Sequence, residues 1–196
     1  MLDHLPHDLE LKGHYVALEP LKRNHLDGLA EAARDGELWN LTVTSVPHPD
    51  ALDSWFKNAV GERAQNRQLP FVVRRNSDQQ IVGSTRYYDI EPLHGNLSIG
   101  YTWYAKSARR TAVNTECKLL LLTHAFEICE CAVVYWHTHH QNYASQAAIT
   151  RLGAKLDGII RAHKRMPDGG LRDTYSYSMT AAEWPDVKAS LQKRLA

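Results

Sequence analysis

Nowhere in this chain do about eighteen apolar residues follow one another, so no membrane-spanning helix is expected. Met1 to Gly13 holds Asp3, Asp8 and Glu10 and no apolar block, which argues against a secretory leader and for a cytoplasmic protein. Cysteine is scarce: Cys117, Cys129 and Cys131 are too few and too irregularly spaced for a disulfide framework, and they read as reduced thiols. Neither sign of charge is in excess. Lys and Arg number 23 against 22 Asp and Glu, a balance that excludes bulk nucleic-acid binding and a polybasic membrane contact. There is no G-x-x-x-x-G-K-[ST] phosphate loop and no G-x-G-x-x-G dinucleotide turn. Repeats, low-complexity stretches and Gly/Ser linkers are also missing, so residues 1–196 are expected to form a single domain.

The apolar residues that are present fall into helical and strand periods. His14 to Leu21 reads as a first strand. Asn24, with Asp27 three residues on, reads as the cap of a helix whose apolar face is Leu26, Leu29, Ala30 and Ala33. Leu38 to Pro49, with Trp39, Thr42 and Thr44, reads as an exposed loop. Asp50 reads as the cap of a second helix with the stripe Leu52, Trp55, Phe56 and Ala59. Phe71 to Val73 and Ile81 to Ile90 read as strands separated by a turn at Asn76 to Asp78. Past a turn at Gly95-Asn96, Leu97, Ile99, Tyr101 and Trp103 alternate with Ser98, Gly100, Thr102 and Tyr104, the period of a half-buried strand.

Val113, Cys117, Leu120, Leu121, His124 and Ile128 then recur at helical spacing. Ala132 to His137 reads as a strand, and Tyr143 to Leu152 as a helix closed by Gly153. Ile159 to Arg165 and Leu171 to Met179 flank Pro167-Asp168-Gly169-Gly170 as a hairpin, before a last helix with Trp184, Val187 and Leu191. Short early turns imply antiparallel pairing and the later helix crossings imply locally parallel strands, so the fold class is α+β, a mixed sheet flanked by helices.

The segment Lys106 to Glu116 joins the alternating strand to the strongest helix of the chain. The first N–H groups of a helix lack intrahelical acceptors, and the helix dipole favours an anion beside them. Ala108 and Ala112 are small enough to let a phosphate approach the main chain, while Lys106, Arg109 and Arg110 add positive charge, offset slightly by Glu116. An ordinary basic connection before a helix would have the same composition.

Several motifs, in order, give this segment a meaning. The run from Arg109 to Asn114 resembles the [QR]-x-x-G-x-[GA] pyrophosphate loop of the GNAT (Gcn5-related) N-acetyltransferases, with Ala112 in place of the usual glycine. The run from Arg110 through Leu122 resembles the branch of ribosomal-protein N-terminal acetyltransferases, the RimJ/RimL type. Ile81-Val82-Gly83, Leu97 to Tyr101, Asn142-x-x-Ser145, Arg151-Leu152-Gly153-Ala154 and the hairpin with Arg172-Asp173 and Tyr177 resemble further family motifs at the same spacing.

The resemblance implies a mostly antiparallel, twisted sheet of about seven strands, splayed between the family's fourth and fifth. It implies acetyl-CoA as co-substrate, no metal, and direct transfer of acetyl to a primary amine in a ternary complex. The acceptor would be a peptide N-terminus or a small molecule. It places CoA contacts at Tyr101, Thr102, Trp103, Tyr104, Arg109, Arg110, Thr111, Ala112, Val113, Asn114 and Thr115, and at Asn142 and Ser145. Asn142 and Ser145 are the catalytic candidates, with Ser145 as proton donor to the leaving thiolate; three residues apart, they equally suit a plain helix cap. Trp39, Arg86 and Tyr88, with Tyr87 between the last two, are acceptor-pocket candidates by stacking or cation–π contact, or else packing residues.

Ser98 stands where many relatives carry glutamate, and a hydroxyl is a poor base. Asp89, Glu91 and His94 are nearby alternatives, and none is assigned. His137-Thr138-His139-His140 with Cys129 and Cys131 invites a metal reading, but no C-x-x-C or H-E-x-x-H spacing supports one. Cys117 lies on the buried helix stripe and reads as packing. The missing glutamate keeps a second class of function open, an acyl-CoA-binding sensor or weakly active protein on the same scaffold. Exposed strands and the family pattern point to a homodimer.

Overall fold

The computed structural model describes residues 2, 5–41, 43–166 and 169–196. Thr42 of the expected loop, and Pro167 and Asp168 of the expected hairpin turn, lie outside the described residues. Among the described residues eight strands form one sheet: β1 (Leu11–Lys12), β2 (Val16–Pro20), β3 (Gln68–Arg75), β4 (Ile81–Glu91), β5 (Asn96–Tyr104), β6 (Val133–His139), β7 (Lys155–Arg165) and β8 (Leu171–Thr180). Five α-helices accompany them: α1 (Leu26–Arg34), α2 (Leu52–Ala64), α3 (Ala112–Thr123), α4 (Tyr143–Leu152) and α5 (Trp184–Leu195).

The strand order is β1-β2-β3-β4-β5-β6-β8-β7, antiparallel throughout except where β5 meets β6. That parallel pairing covers only Asn96–Ser98 against Val133–Tyr135. From Ile99 onward β5 diverges from β6, so the sheet opens there as the resemblance implies. Residues Ile99 to Tyr104 therefore present a strand edge whose outward N–H and C=O groups have no ladder partner from β6.

Helices cover both faces. On one, α3 lies against β4 and β5: Tyr87 is fully buried and its hydroxyl donates to the Leu121 carbonyl. On the other, α1 packs on β4 with Gly28 against Ile81, and α2 sets Trp55 against Arg86. The core holds Leu18, Leu29, Leu38, Leu69, Phe71, Leu97, Ile99, Leu121 and Met179, all essentially inaccessible. At the edge of the sheet, β7 is solvent-exposed along most of its length and shows Leu156, Ile159 and Ile160.

Four local expectations are corrected. Asn24 does not cap α1: it sits inside a 3-10 turn, Arg23–His25, where the His25 Nδ1 accepts from the Lys22 N–H. Asp50 does not cap α2, because His48 accepts the Asp50 N–H at the start of the turn Pro49–Ala51. The stripe of α3 does not reach Ile128. His124–Ile128 forms a π-helical turn, whose wider winding rotates Ile128 out to 64% exposure. The Leu38–Pro49 segment is also less exposed than its composition suggests, since Leu38 and Pro47 are buried.

Candidate active site

The alternation of β5 fails at one residue. Ser84 faces Trp103 and Arg86 faces Gly100, so Thr85 alone opposes Tyr101 and Thr102, which makes a β-bulge. Tyr101 takes the left-handed conformation, φ 51°, and stands 37% exposed, whereas Ile99 and Trp103 are buried. The extra residue reverses facing, so Trp103 lies on the face opposite Ile99. Two glycines allow this close pairing. A Cβ on Gly83 would lie 2.2 Å from the Trp103 carbonyl oxygen, and one on Gly100 would lie 2.6 Å from the Tyr88 ring.

Beyond β5 the chain makes a 3-10 turn, Lys106–Ala108, tied to the end of α1. The Lys106 N–H donates to the Asp35 carbonyl at 3.0 Å, and the Ser107 N–H to the Asp35 carboxylate at 2.9 Å. The hydrogen bonds from Ser107 hold that carboxyl below its ordinary range. Arg110 absorbs the reversal in a left-handed conformation, φ 60°. Thr111 then caps α3: its hydroxyl donates to the Ala108 carbonyl at 2.7 Å and accepts the Val113 N–H at 3.3 Å. Ala112 is the first helical residue and keeps a negative φ, so the position does not require glycine.

The sequence-derived cradle thus holds together in space. Arg109 and Arg110 are exposed beside the first turn of α3, and neither is in an ion pair among the described residues. Of that turn's N–H groups, Thr111 occupies only the one of Val113. Glu116 does not face the cradle. Its buried carboxylate turns back and accepts the N–H groups of His14, Tyr15 and Val16 at 2.8, 2.6 and 2.8 Å. These features, with the open edge of β5 alongside, fit a pyrophosphate on the helix N-terminus and an amide-bearing chain along the strand. Trp103 and Tyr104 are buried, so only their main chain is available for such contacts.

Asn142 is the N-cap of α4. Its Oδ1 accepts the Ser145 N–H at 3.0 Å, and its Nδ2 donates to the Val43 carbonyl at 3.2 Å. The second bond joins α4 to the Leu38–Pro49 segment. Trp39 in that segment is half-buried and edge-on to His48 at 5.0 Å, apart from the cleft described next. Tyr87 belongs to the core, not to an acceptor pocket, because it lies on the sheet face opposite Arg86 and Tyr88.

A cleft of about 300 Å³ opens beside the bulge, lined by Ser45, Trp55, Asn58, Glu62, Gln68, Arg86 and Tyr101. Arg86 is 4% exposed, with its guanidinium between the Trp55 and Tyr101 rings at 4.7 and 4.6 Å. Burial pulls it down to about 10, so it remains a cation at neutral pH. Sequence reasoning gave Trp55 to the helix core and missed Asn58 and Glu62. The available signal was their spacing: Trp55, Asn58 and Glu62 fall at i, i+3 and i+7, one face of α2.

Tyr88 lies on the same sheet face as Arg86, edge-on to Tyr101 at 5.3 Å. Its hydroxyl meets the His137 Nδ1 at 3.0 Å. Burial, partly offset by the Asp89 charge, lowers the His137 pKa below its ordinary value, so its imidazole is neutral near pH 7. Burial also raises Tyr88 far above the usual phenol range. Ser98 is buried at the Tyr88–Tyr135 register, while Asp89, Glu91 and His94 are exposed. His139 caps the following turn by accepting the Gln141 N–H, and among the described residues no three His, Cys, Asp or Glu side chains converge on a metal position. Cys117 is fully buried, its thiol pushed up to about 12.

A family model described as an acetyltransferase (GNAT) domain matches residues 16–155. The chain belongs to the GNAT family and is an acetyltransferase of that type. Solved structures agree over nearly its whole length. A protein from T. thermophilus described as an acetyltransferase is 32% identical, with TM-score 0.84, covering 98% of this chain and 99% of that one. A GCN5-related N-acetyltransferase from Brucella melitensis is 27% identical, with TM-score 0.87, covering 97% and 87%. RimJ from Mycobacterium smegmatis, solved with CoA-disulfide, is 19% identical with TM-score 0.75 over 92% and 88%, a likeness of fold. No curated protein sequence matches the chain at a significant level.

Proposed function

We propose that the protein transfers acetyl from acetyl-CoA directly to a primary amine held in the cleft beside Tyr101. The observation that carries this reading is the contiguity of three features: the α3 cradle, the open edge of β5, and the bulge that turns Tyr101 toward the cleft. Acetyl-CoA, when bound, supplies the activated thioester. Arg109, Arg110 and the first N–H groups of α3, from Ala112 to Thr115, hold the pyrophosphate by charge and by the helix dipole. The main chain from Tyr101 to Tyr104 orients the chain leading to the thioester and offers N–H groups to its carbonyl.

A C–N bond forms as the C–S bond breaks, the amine gives up one proton, and the thiolate gains one. Tyr88 and His137 are the pair best placed to take the amine proton: neutral His137 accepts from the Tyr88 hydroxyl while that oxygen accepts from the amine. Ser145, at the start of α4, is the proposed donor to the thiolate. Tyr88 thus shifts from a stacking role to the proton path, and Arg86 remains with the acceptor. The buried, hydroxyl-only character of Ser98 also supports an acyl-CoA sensor, and one experiment separates the two.

Purified protein is assayed for CoA binding by calorimetry and for thiol release with an amine panel. Transfer predicts release with at least one amine, and a roughly 10²–10⁴-fold loss in kcat for Tyr88→Phe and His137→Asn at unchanged CoA affinity. The rate should fall as pH drops through the lowered His137 pKa, where the imidazole takes up a proton and can no longer accept one. CoA binding without release on any amine would establish the sensor instead.

A further inference from the structure

Arg86 is a buried cation that lacks an anion. It takes part in no ion pair among the described residues: its Nη1 donates to the neutral Gln68 Oε1 at 2.8 Å, and its buried Nε has no acceptor. Burying a charge without a counter-charge is costly, and the two flanking rings offset only part of that cost. Its position is constrained, since the Trp55 and Tyr101 ring centres lie 4.7 and 4.6 Å from the guanidinium carbon. Glu62, the acidic residue lining the cleft, attracts it through space but makes no ion pair with it. Arg67 already binds both Glu62 oxygens, at 2.8 and 2.6 Å. The cleft therefore presents a cation without an anion in direct contact, with Asn58 and Ser45 also in its lining.

We propose that this cleft is a carboxylate subsite, so that the acceptor is an amine carrying its own carboxylate, an amino acid or an acidic peptide N-terminus, and not a polyamine. A planar carboxylate suits the guanidinium fork and supplies the missing charge. A polyamine would need an unpaired acid in the cleft and would meet Arg86 as a like charge. Tyr101 sets the scale: its ring centre lies 4.6 Å from the Arg86 guanidinium carbon and 5.3 Å from the Tyr88 ring centre, so the gap from Arg86 to the Tyr88 ring is at most about 10 Å, a span of up to roughly three residues. The proposal rests on the transfer reading for the amine end only; the anion site stands on Arg86.

The test uses the whole protein with matched probes: glutamate against its diamide, a Ser-Asp against a Ser-Asn peptide, and spermidine. In thiol release, the acidic member of at least one pair should exceed its amide by about tenfold in kcat/KM. Arg86→Gln should reduce that ratio to near one with the KM for acetyl-CoA unchanged, and Arg86→Lys should retain part of it. Equal or better use of the amides or of spermidine would overturn the proposal. The same probes are titrated calorimetrically into CoA-saturated protein without turnover. Arg86-dependent binding of the acids with no thiol release would sink transfer and keep the subsite; equal binding of acid and amide, or none, would sink the subsite. If Arg86→Gln does not fold, the wild-type ratio and Arg86→Lys decide.

Discussion

Lys118 shows how much a single residue's setting can depend on tertiary contacts. Its place in α3 is one turn beyond the cradle, and it is 8% exposed with Nζ donating to the Thr102 hydroxyl at 3.1 Å. Burial pulls the ammonium down to about 8. The sign follows from proton counting. Between pH 8 and about 10.4 the unfolded chain holds a proton that the folded chain has released, so stability rises with pH across that window and burial costs most at neutral pH. Lys118→Met should therefore stabilise the protein at pH 7, by about 1–3 kcal/mol, and the advantage should shrink toward zero near pH 10. Urea denaturation at pH 7, 8.5 and 10 checks this; a pH-independent difference would contradict it. Ala112 and Arg110 make the complementary point. The family's glycine is dispensable at Ala112 because the backbone there is helical, and the left-handed strain falls instead on Arg110.

At the scale of elements, α4 carries two roles on one turn. Asn142 is a structural cap as well as a candidate at the site, so its replacement will not report on chemistry alone. Asn142→Ala should lower stability by about 1 kcal/mol, through loss of the cap, in addition to any loss of turnover. Ser145→Ala leaves its capped N–H in place, so it should lower kcat with the melting temperature unchanged. Thermal melts beside steady-state kinetics separate the two; unchanged kcat in Ser145→Ala would remove it from the mechanism. Element types were legible because the periods are strong, as in α3 and the β7–β8 hairpin. Cap positions were not: Asn24 and Asp50 have the chemistry of caps, yet 3-10 turns precede α1 and α2 and move the first helical residues downstream. Nor was the bulge, because an extra residue in β5 leaves the written alternation intact while reversing what faces the core.

Across the whole molecule, Glu116 fastens the N-terminal strand to α3 from about a hundred residues away, and a Cβ on Gly13 would lie 2.4 Å from its carboxyl carbon. Glu116→Ala orphans three partly or fully buried N–H groups at once. It should cost about 3 kcal/mol or more, measured by chemical denaturation, and a loss under about 1 kcal/mol would mean that water replaces the carboxylate.

The cradle from Arg109 to Thr115 was readable from sequence because contiguous residues build it: a basic turn, a capping threonine and a helix start need no distant partner. The acceptor side could not be read that way. Arg86 meets Trp55 and Tyr101, and Tyr88 meets His137, across separations that only the sheet order brings to contact range. The sequence by itself determined the family, through its resemblance to known motifs, and the mixed sheet and the basic turn before α3, through local periodicity and spacing. The tertiary structure alone decided the cleft, the setting of Arg86 and the Tyr88–His137 contact, since each brings together strands and helices far apart in the chain.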